Sequence, residues 1–416
     1  MKLLFIVTSF WAYGELLIAL EFAKSCKDNH MQVHFIIPPT HKKILEKNKI
    51  SSTCLIPQSR KINYLLMQDI EINWKPDYII LSDFLNYNFC EKHYGLKPED
   101  LQLFSGKLGT FDNFDWQRPR TQMDTYGFKS DMVRNVDIKQ YGFQLLPVPI
   151  VNINQEPLSE NQMRYAVLRQ TLPYNEMNKN KSRQELGLPL DKKIILTTVA
   201  TWQQGYKAYK KVEEFINLSD WLFQNFLEEL AKEYLVICVG KPNKESIYSQ
   251  VSQKTVESGQ LKLLDSLSPE IFNLYALSCD LFITRNITST TTIKLLLSKI
   301  PCMQINNTFE SHQQVISKLH GSLSVTLQNW IKQCTYFYQY EMYPVGWYQF
   351  LNVILEGNPY KDLISSVEQF DRIHMEETVR KLLYDHIFIE ERNKEIDCFN
   401  KMLDNLPKPF EIIKYI

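Results

Sequence analysis

Short apolar runs alternate with longer amphipathic stretches along most of this chain. Lys2 to Thr8 (KLLFIVT) reads as a buried strand, and Gly14 to Cys26 carries Leu16, Leu17, Leu20, Phe22 and Ala23 on a helix. Met31 to Pro39 is a second strand, stopped by two prolines. Strand, helix and strand in so short a span predict a βαβ unit with a right-handed crossover. Such sheets bind ligands beyond the carboxyl ends of their strands, so the loop Ser9 to Glu15 is a candidate cleft wall. Thr40–Lys49 and Tyr64–Ile72 read as helices, Thr53–Ile56 as a short strand, and Asp77–Leu81 as a strong strand running into Ser82 and Asp83. Phe104 to Met132 lacks periodicity and reads as an ordered loop. Phe143–Pro149, broken by Pro147 and Pro149, belongs at a sheet edge or leads out of the sheet.

The polar stretch Asn152 to Lys181 reads as a linker holding the domain boundary. Beyond it, Ser182–Gly187 is a short helix stopped by glycine. Ile194–Thr198 and Leu235–Val239 are strands on either side of a helix over Leu218–Lys232, and Leu261–Leu264 is a short strand. Pro269 opens the next helix. Then comes the most informative stretch, Cys279 to Asn307: strand Leu281–Ile283, a polar turn, a helix carrying Ile293 and Leu295–Leu297, and strand Cys302–Ile305. Tyr340–Leu355, Val367–Leu383 and Ile387–Leu403 complete the pattern, the last two as helices.

Composition narrows the class. The 416 residues are 44% hydrophobic, with 47 basic and 47 acidic side chains, which suits a two-domain globular protein. No basic field for nucleic acid follows from that balance. The eight cysteines and eight histidines show neither CxxC pairs nor metal-ligand spacing, so no metal site is expected. No apolar run reaches membrane-spanning length, and a cytoplasmic address is expected.

The candidate chemistry sits past the strand ends. Five consecutive hydroxyl residues, Thr288, Ser289, Thr290, Thr291 and Thr292, stand where a helix begins. Helix-start hydroxyls cap free amides, and those amides with the helix dipole hold phosphate or carboxylate. Arg285 stands just before them. Asp83 is either a cleft acid or an N-cap. Asp112, Arg118 and Arg120 either bind a polar ligand or form surface ion pairs. No GxGxxG follows the first strand, which argues against a dinucleotide fingerprint.

Three segments carry a family resemblance: the first strand with GELLIALEFAKSCKDNHMQVHFIIPP, SRQELGLPLDKKIILTTVA, and LYALSCDLFITRNITSTTTIKLLLSKIPCMQI. Together they resemble the GT-B glycosyltransferases, nearest to the lipid-intermediate N-acetylglucosaminyl transferase and UDP-glycosyltransferase groups. The PVGWYQFL and DNFDW segments look like those of a separate bacterial subfamily. The resemblance implies an α/β fold of two Rossmann-like domains facing a cleft. It divides the chain into an acceptor-side domain at 1–160, a nucleotide-sugar-side domain at 161–385, and a helix at 386–416 returning to the first domain.

It also implies an inverting, metal-independent transfer from a nucleotide-diphosphate sugar, as co-substrate and not as a tightly bound cofactor, to a small-molecule or peptide acceptor. Glu15 stands where the family often has a histidine base; the other reading is a carboxylate against the helix dipole. Asp83 and Asp112 are its competitors or orienters. Lys294 replaces the family's ribose-binding acid, and Glu310 and His312 fall where the family meets the donor sugar or ribose. Thr201 and Trp202 sit in the loop over the first donor-side strand, and Arg118 and Arg120 suit an anionic acceptor. Two other readings are a nucleotide-sugar epimerase and a noncatalytic partner of a biosynthetic protein.

Overall fold

The computed structural model describes residues 1–10, 13–88, 90–118, 137–168, 172–199, 213–240, 258–340 and 347–416. Among them, two sheets carry the architecture. The first holds β1 (Lys2–Ile6), β2 (Gln32–Ile37), β3 (Ser51–Cys54), β4 (Tyr78–Leu81), β5 (Lys107–Phe111), β6 (Phe143–Val148) and β7 (Gln162–Ala166), in the order β3-β2-β1-β4-β5-β6-β7. The second holds β8 (Ile194–Thr198), β9 (Leu235–Val239), β10 (Leu261–Leu264), β11 (Leu281–Thr284), β12 (Cys302–Asn306) and β13 (Ser365–Glu368), in the order β10-β9-β8-β11-β12-β13. Every pairing within them is parallel. Strand order therefore reverses once per sheet, between β1 and β4 and between β8 and β11. Ligands of doubly wound sheets sit at such crevices.

The strands form because their apolar runs are covered on both faces. Helix Gly14–Asp28 buries Leu16, Ile18, Leu20 and Phe22 against the first sheet, where Phe5, Phe35 and Phe111 stack in one core. That core continues through Ile293 and Leu295–Leu297 to Phe399 and Ile412, so one apolar body joins both sheets. The last two helices, His386–Asp404 and Pro409–Tyr415, both reach β7, and Pro409–Tyr415 also packs on helix Gly14–Asp28. The C-terminal helices thus cross back to the first sheet.

Several expectations need correction. The stretch read as a loop from Phe104 holds β5, a central strand. Its glycine is demanded by packing, since a Cβ on Gly109 would lie 2.2 Å from the Phe143 ring. β6 is an interior strand and not an edge. The Asp112 amide donates to the Leu145 carbonyl at 2.9 Å, just past the end of β5, so Pro147 falls where β5 no longer needs a donor. The polar linker contains β7 and most of helix Glu176–Glu185, capped by Asn175, and β7 carries the first sheet past residue 160. Val367, expected in a helix, lies in β13, and the helix starts at Arg372 behind the capping Asp371. The one returning helix expected over 386–416 is two, His386–Asp404 and Pro409–Tyr415, parted around Pro407.

Candidate functional site at the carboxyl ends of the two sheets

At the first reversal, β1 leads through Thr8 and Ser9 to Glu15, and β4 leads through Ser82 to Asp83. Glu15 occupies the first turn of its helix. Its Oε2 is buried and has no hydrogen-bond partner among the described residues, as is also true of the fully buried Ser9 Oγ. Burial first, and the Asp83 carboxylate second, push the Glu15 carboxyl up to about 8. Asp83 is also raised by burial, against the pull of backbone amides that stabilise its ionised form. Its Oδ1 accepts from the Asn86 amide at 3.0 Å, so it caps helix Phe84–Asn88 while facing Glu15. The two sequence readings of Asp83 are therefore compatible. Burial thus disfavours charge on both carboxyls, and on Glu15 the Asp83 carboxylate adds to it.

His41 was not singled out from the sequence, yet it lies fully buried behind this loop. Its Nε2 meets the Ser9 carbonyl at 2.7 Å, so that nitrogen carries the proton, and its ring centre lies 5.0 Å from that of Tyr13. Burial lowers its pKa, which keeps the ring neutral. The signal was its place just past β2, the neighbour of β1.

Asp112 is turned to a different task. Its two carboxylate oxygens accept from the Phe114 and Trp116 amides at 3.2 and 2.8 Å, which folds the DNFDW turn. Arg118 closes the same loop through Asp115 and the Glu156 carbonyl. Arg120, Thr201 and Trp202 lie outside the described residues.

At the second reversal, the helix begins at Thr290 with Ser289 as N-cap, its hydroxyl accepting from the Thr291 amide at 3.2 Å. Thr288, Ser289, Thr290 and Thr291 are half-exposed, whereas Thr292 is buried and donates to the Asn286 carbonyl at 2.9 Å. The hydroxyl row is thus an open helix start with its last member turned inward. Close by, Gly240 (φ +93°) ends β9 where a Cβ would lie 2.3 Å from the Val199 carbonyl oxygen.

The two cations expected here are engaged elsewhere. Arg285 is buried, its guanidinium 2.8 Å from Asp220 and 4.6 Å above the Phe223 ring. Lys294 donates to Asn273 at 2.8 Å, and burial lowers its pKa against the favourable charge of Glu21 on helix Gly14–Asp28. It therefore sits where the second sheet's helices meet the first sheet. Glu310 is exposed and His312 half-exposed, both following β12 at the same sheet end as Thr288. Lys47, following β2, meets Glu270, following β10, at 2.6 Å, which ties the two strand-end regions together.

Among the described residues, no three His, Cys, Asp or Glu side chains gather as metal ligands. Nor is any described helix long and apolar enough to cross a membrane.

Comparison with known proteins places the architecture. The spinosyn forosaminyltransferase SpnP superposes with a TM-score of 0.53 at 10% identity, covering 100% of this chain and 98% of that one. The spinosyn rhamnosyltransferase SpnG, solved with spinosyn aglycone and with thymidine diphosphate, gives 0.50 at 10% identity in both complexes, over 100% of this chain and 99% of that one. These likenesses, with the two parallel sheets, establish a GT-B fold of two Rossmann-like domains facing a cleft. No curated protein sequence matches the chain. A family profile does match, over residues 22–416, and the chain accordingly belongs to that family, described as a family of unknown function, DUF6365.

Proposed function

We propose that this protein is a glycosyltransferase that moves a sugar from a nucleoside-diphosphate donor to an acceptor held against the first sheet. The observation that carries this reading is the Glu15–Asp83 pair at the β1/β4 reversal, with a buried Glu15 oxygen left without a partner. An unpartnered buried polar atom is costly and calls for a ligand. In the reaction the acceptor oxygen or nitrogen attacks the anomeric carbon. The bond from that carbon to the phosphate oxygen breaks with inversion, and the diphosphate leaves with the electron pair. The acceptor proton passes to ionised Glu15. Asp83 keeps Glu15 basic enough to take it, in place of the imidazole of related transferases. The half-exposed helix start at Ser289–Thr291, with its dipole, offsets the charge of the departing diphosphate.

One observation favours a second reading, a noncatalytic partner protein: Arg285 and Lys294, the cations expected for the donor, are both occupied within the protein. One experiment separates the readings. Nucleoside diphosphates and nucleotide sugars are screened by thermal shift, and release of nucleoside diphosphate is followed with each binder. Binding with release, dependent on Glu15, supports transfer. Binding without release favours the partner protein, and no binding at all overturns the transferase.

A further inference from the structure

A groove of about 580 Å³ opens on the first sheet near the amino ends of β2 and β3, the opposite end from Glu15. That volume falls within the range of small-molecule sites. Its wall is the half-buried indole of Trp74, whose centre lies 5.6 Å from the His34 ring. His34 is fixed in place by Ser51 Oγ at 2.8 Å and Thr53 Oγ1 at 2.9 Å. Burial holds its pKa down, so the ring is neutral and one nitrogen accepts while the other donates. The Trp74 backbone is anchored too, because its carbonyl accepts from Lys2 Nζ at 2.8 Å and its amide donates to the Ile70 carbonyl at 2.9 Å.

The rim carries both charges. Asp69, Lys27 and Lys49 line it and are exposed, and none of the three forms an ion pair among the described residues; Lys27 Nζ donates to the Lys49 carbonyl at 2.6 Å. Asn73 occupies Asp69 Oδ1 at 2.6 Å, which leaves Oδ2 to accept from a ligand. Asp69 offsets one of the two ammoniums, so a single net positive charge is left on an open rim, too little to gather a phosphate by field alone. An aromatic wall against the His34 ring, with hydroxyl, carboxylate and ammonium groups around it, matches a different chemistry: a ring with an apolar C–H face and hydroxyls at its edge.

We infer that this groove is a second carbohydrate-binding site, taking a neutral sugar ring against Trp74 with its hydroxyls on Asp69 and Lys49. It stands apart from the transfer site and does not depend on the transfer reaction.

The test is calorimetric titration of the full chain with methyl glycosides of glucose, galactose and N-acetylglucosamine, and with maltose and cellobiose. At least one should give a saturable isotherm. Asp69→Asn and Lys49→Ala, at exposed positions, and Trp74→Leu should each weaken it about tenfold or more, equivalent to about 1.4 kcal/mol. Binding of nucleoside diphosphate should be unchanged in all three. Absence of any isotherm with folded protein overturns the inference, as does an isotherm that all three substitutions leave intact. Failure of nucleoside diphosphates to bind, with sugars still held by the groove, would remove the transfer reading alone.

Discussion

Glu15 combines two properties that pull in opposite directions. Burial and the Asp83 charge raise its carboxyl, so the native state holds a proton that the unfolded chain releases. Between the ordinary value of 4.5 and about 8, the native state binds more protons, and stability falls as pH rises through that window. Glu15→Gln removes this loss. The variant should melt higher than the parent at pH 8 and above, in a thermal scan, while the difference narrows toward pH 5. As the acceptor's base, Glu15 must be ionised, so turnover of the parent should rise with pH to a plateau above about 8. Turnover of Glu15→Gln should fall by about 10²–10⁴-fold with nucleotide affinity retained. Arg285 behaves otherwise. Its pairing with Asp220 is inside the protein. Arg285→Met should therefore destabilise by about 3 kcal/mol in denaturant titration, since it takes the buried guanidinium away from the Asp220 carboxylate.

Among the elements, the helix that starts at Thr290 has the clearest double duty. Ser289 caps it, and the same hydroxyl and amides face the half-exposed turn. Ser289→Ala should cost about 1 kcal/mol of stability and weaken nucleoside-diphosphate binding in the same preparation. Loss of stability with unchanged affinity would make the cap purely structural. This helix was legible in the sequence because hydroxyls, apolar spacing and Pro301 mark its start, face and end. Elements with contrary composition were not. β5 contains Lys107 and Gly109, and only the Phe143 ring from the neighbouring strand explains the glycine. β7, QMRYA, is polar enough to pass for linker, because a last strand of a sheet is covered less evenly. β13 runs almost directly into a helix, so its few residues merge with the helical pattern. The candidate site divided in the same way. Glu15 and Asp83 were each visible past a strand end, but their mutual field arises from β1 and β4 lying side by side. The local bonds of Asp112, Arg285 and Lys294 depend on partners that spacing does not reveal.

At the scale of the whole molecule, the two sheets are joined by a shared core as well as by chain connections. Ile412 and Ile413 of the last helix are almost wholly buried, the helix lying on Gly14–Asp28 and β7. Removing residues 408–416 should lower the melting temperature and expose apolar surface to a hydrophobic dye, since each buried isoleucine contributes about 1.5–3 kcal/mol. The return of this helix also limits how the halves can move. The polypeptide passes from one lobe to the other near Leu172, whose amide binds Ser298 Oγ at 3.2 Å, and comes back along His386–Asp404. Two separate passages act like a pair of door pins. Any swing of one half against the other must run about the line between them, whereas twisting one half freely against the other would tear at both.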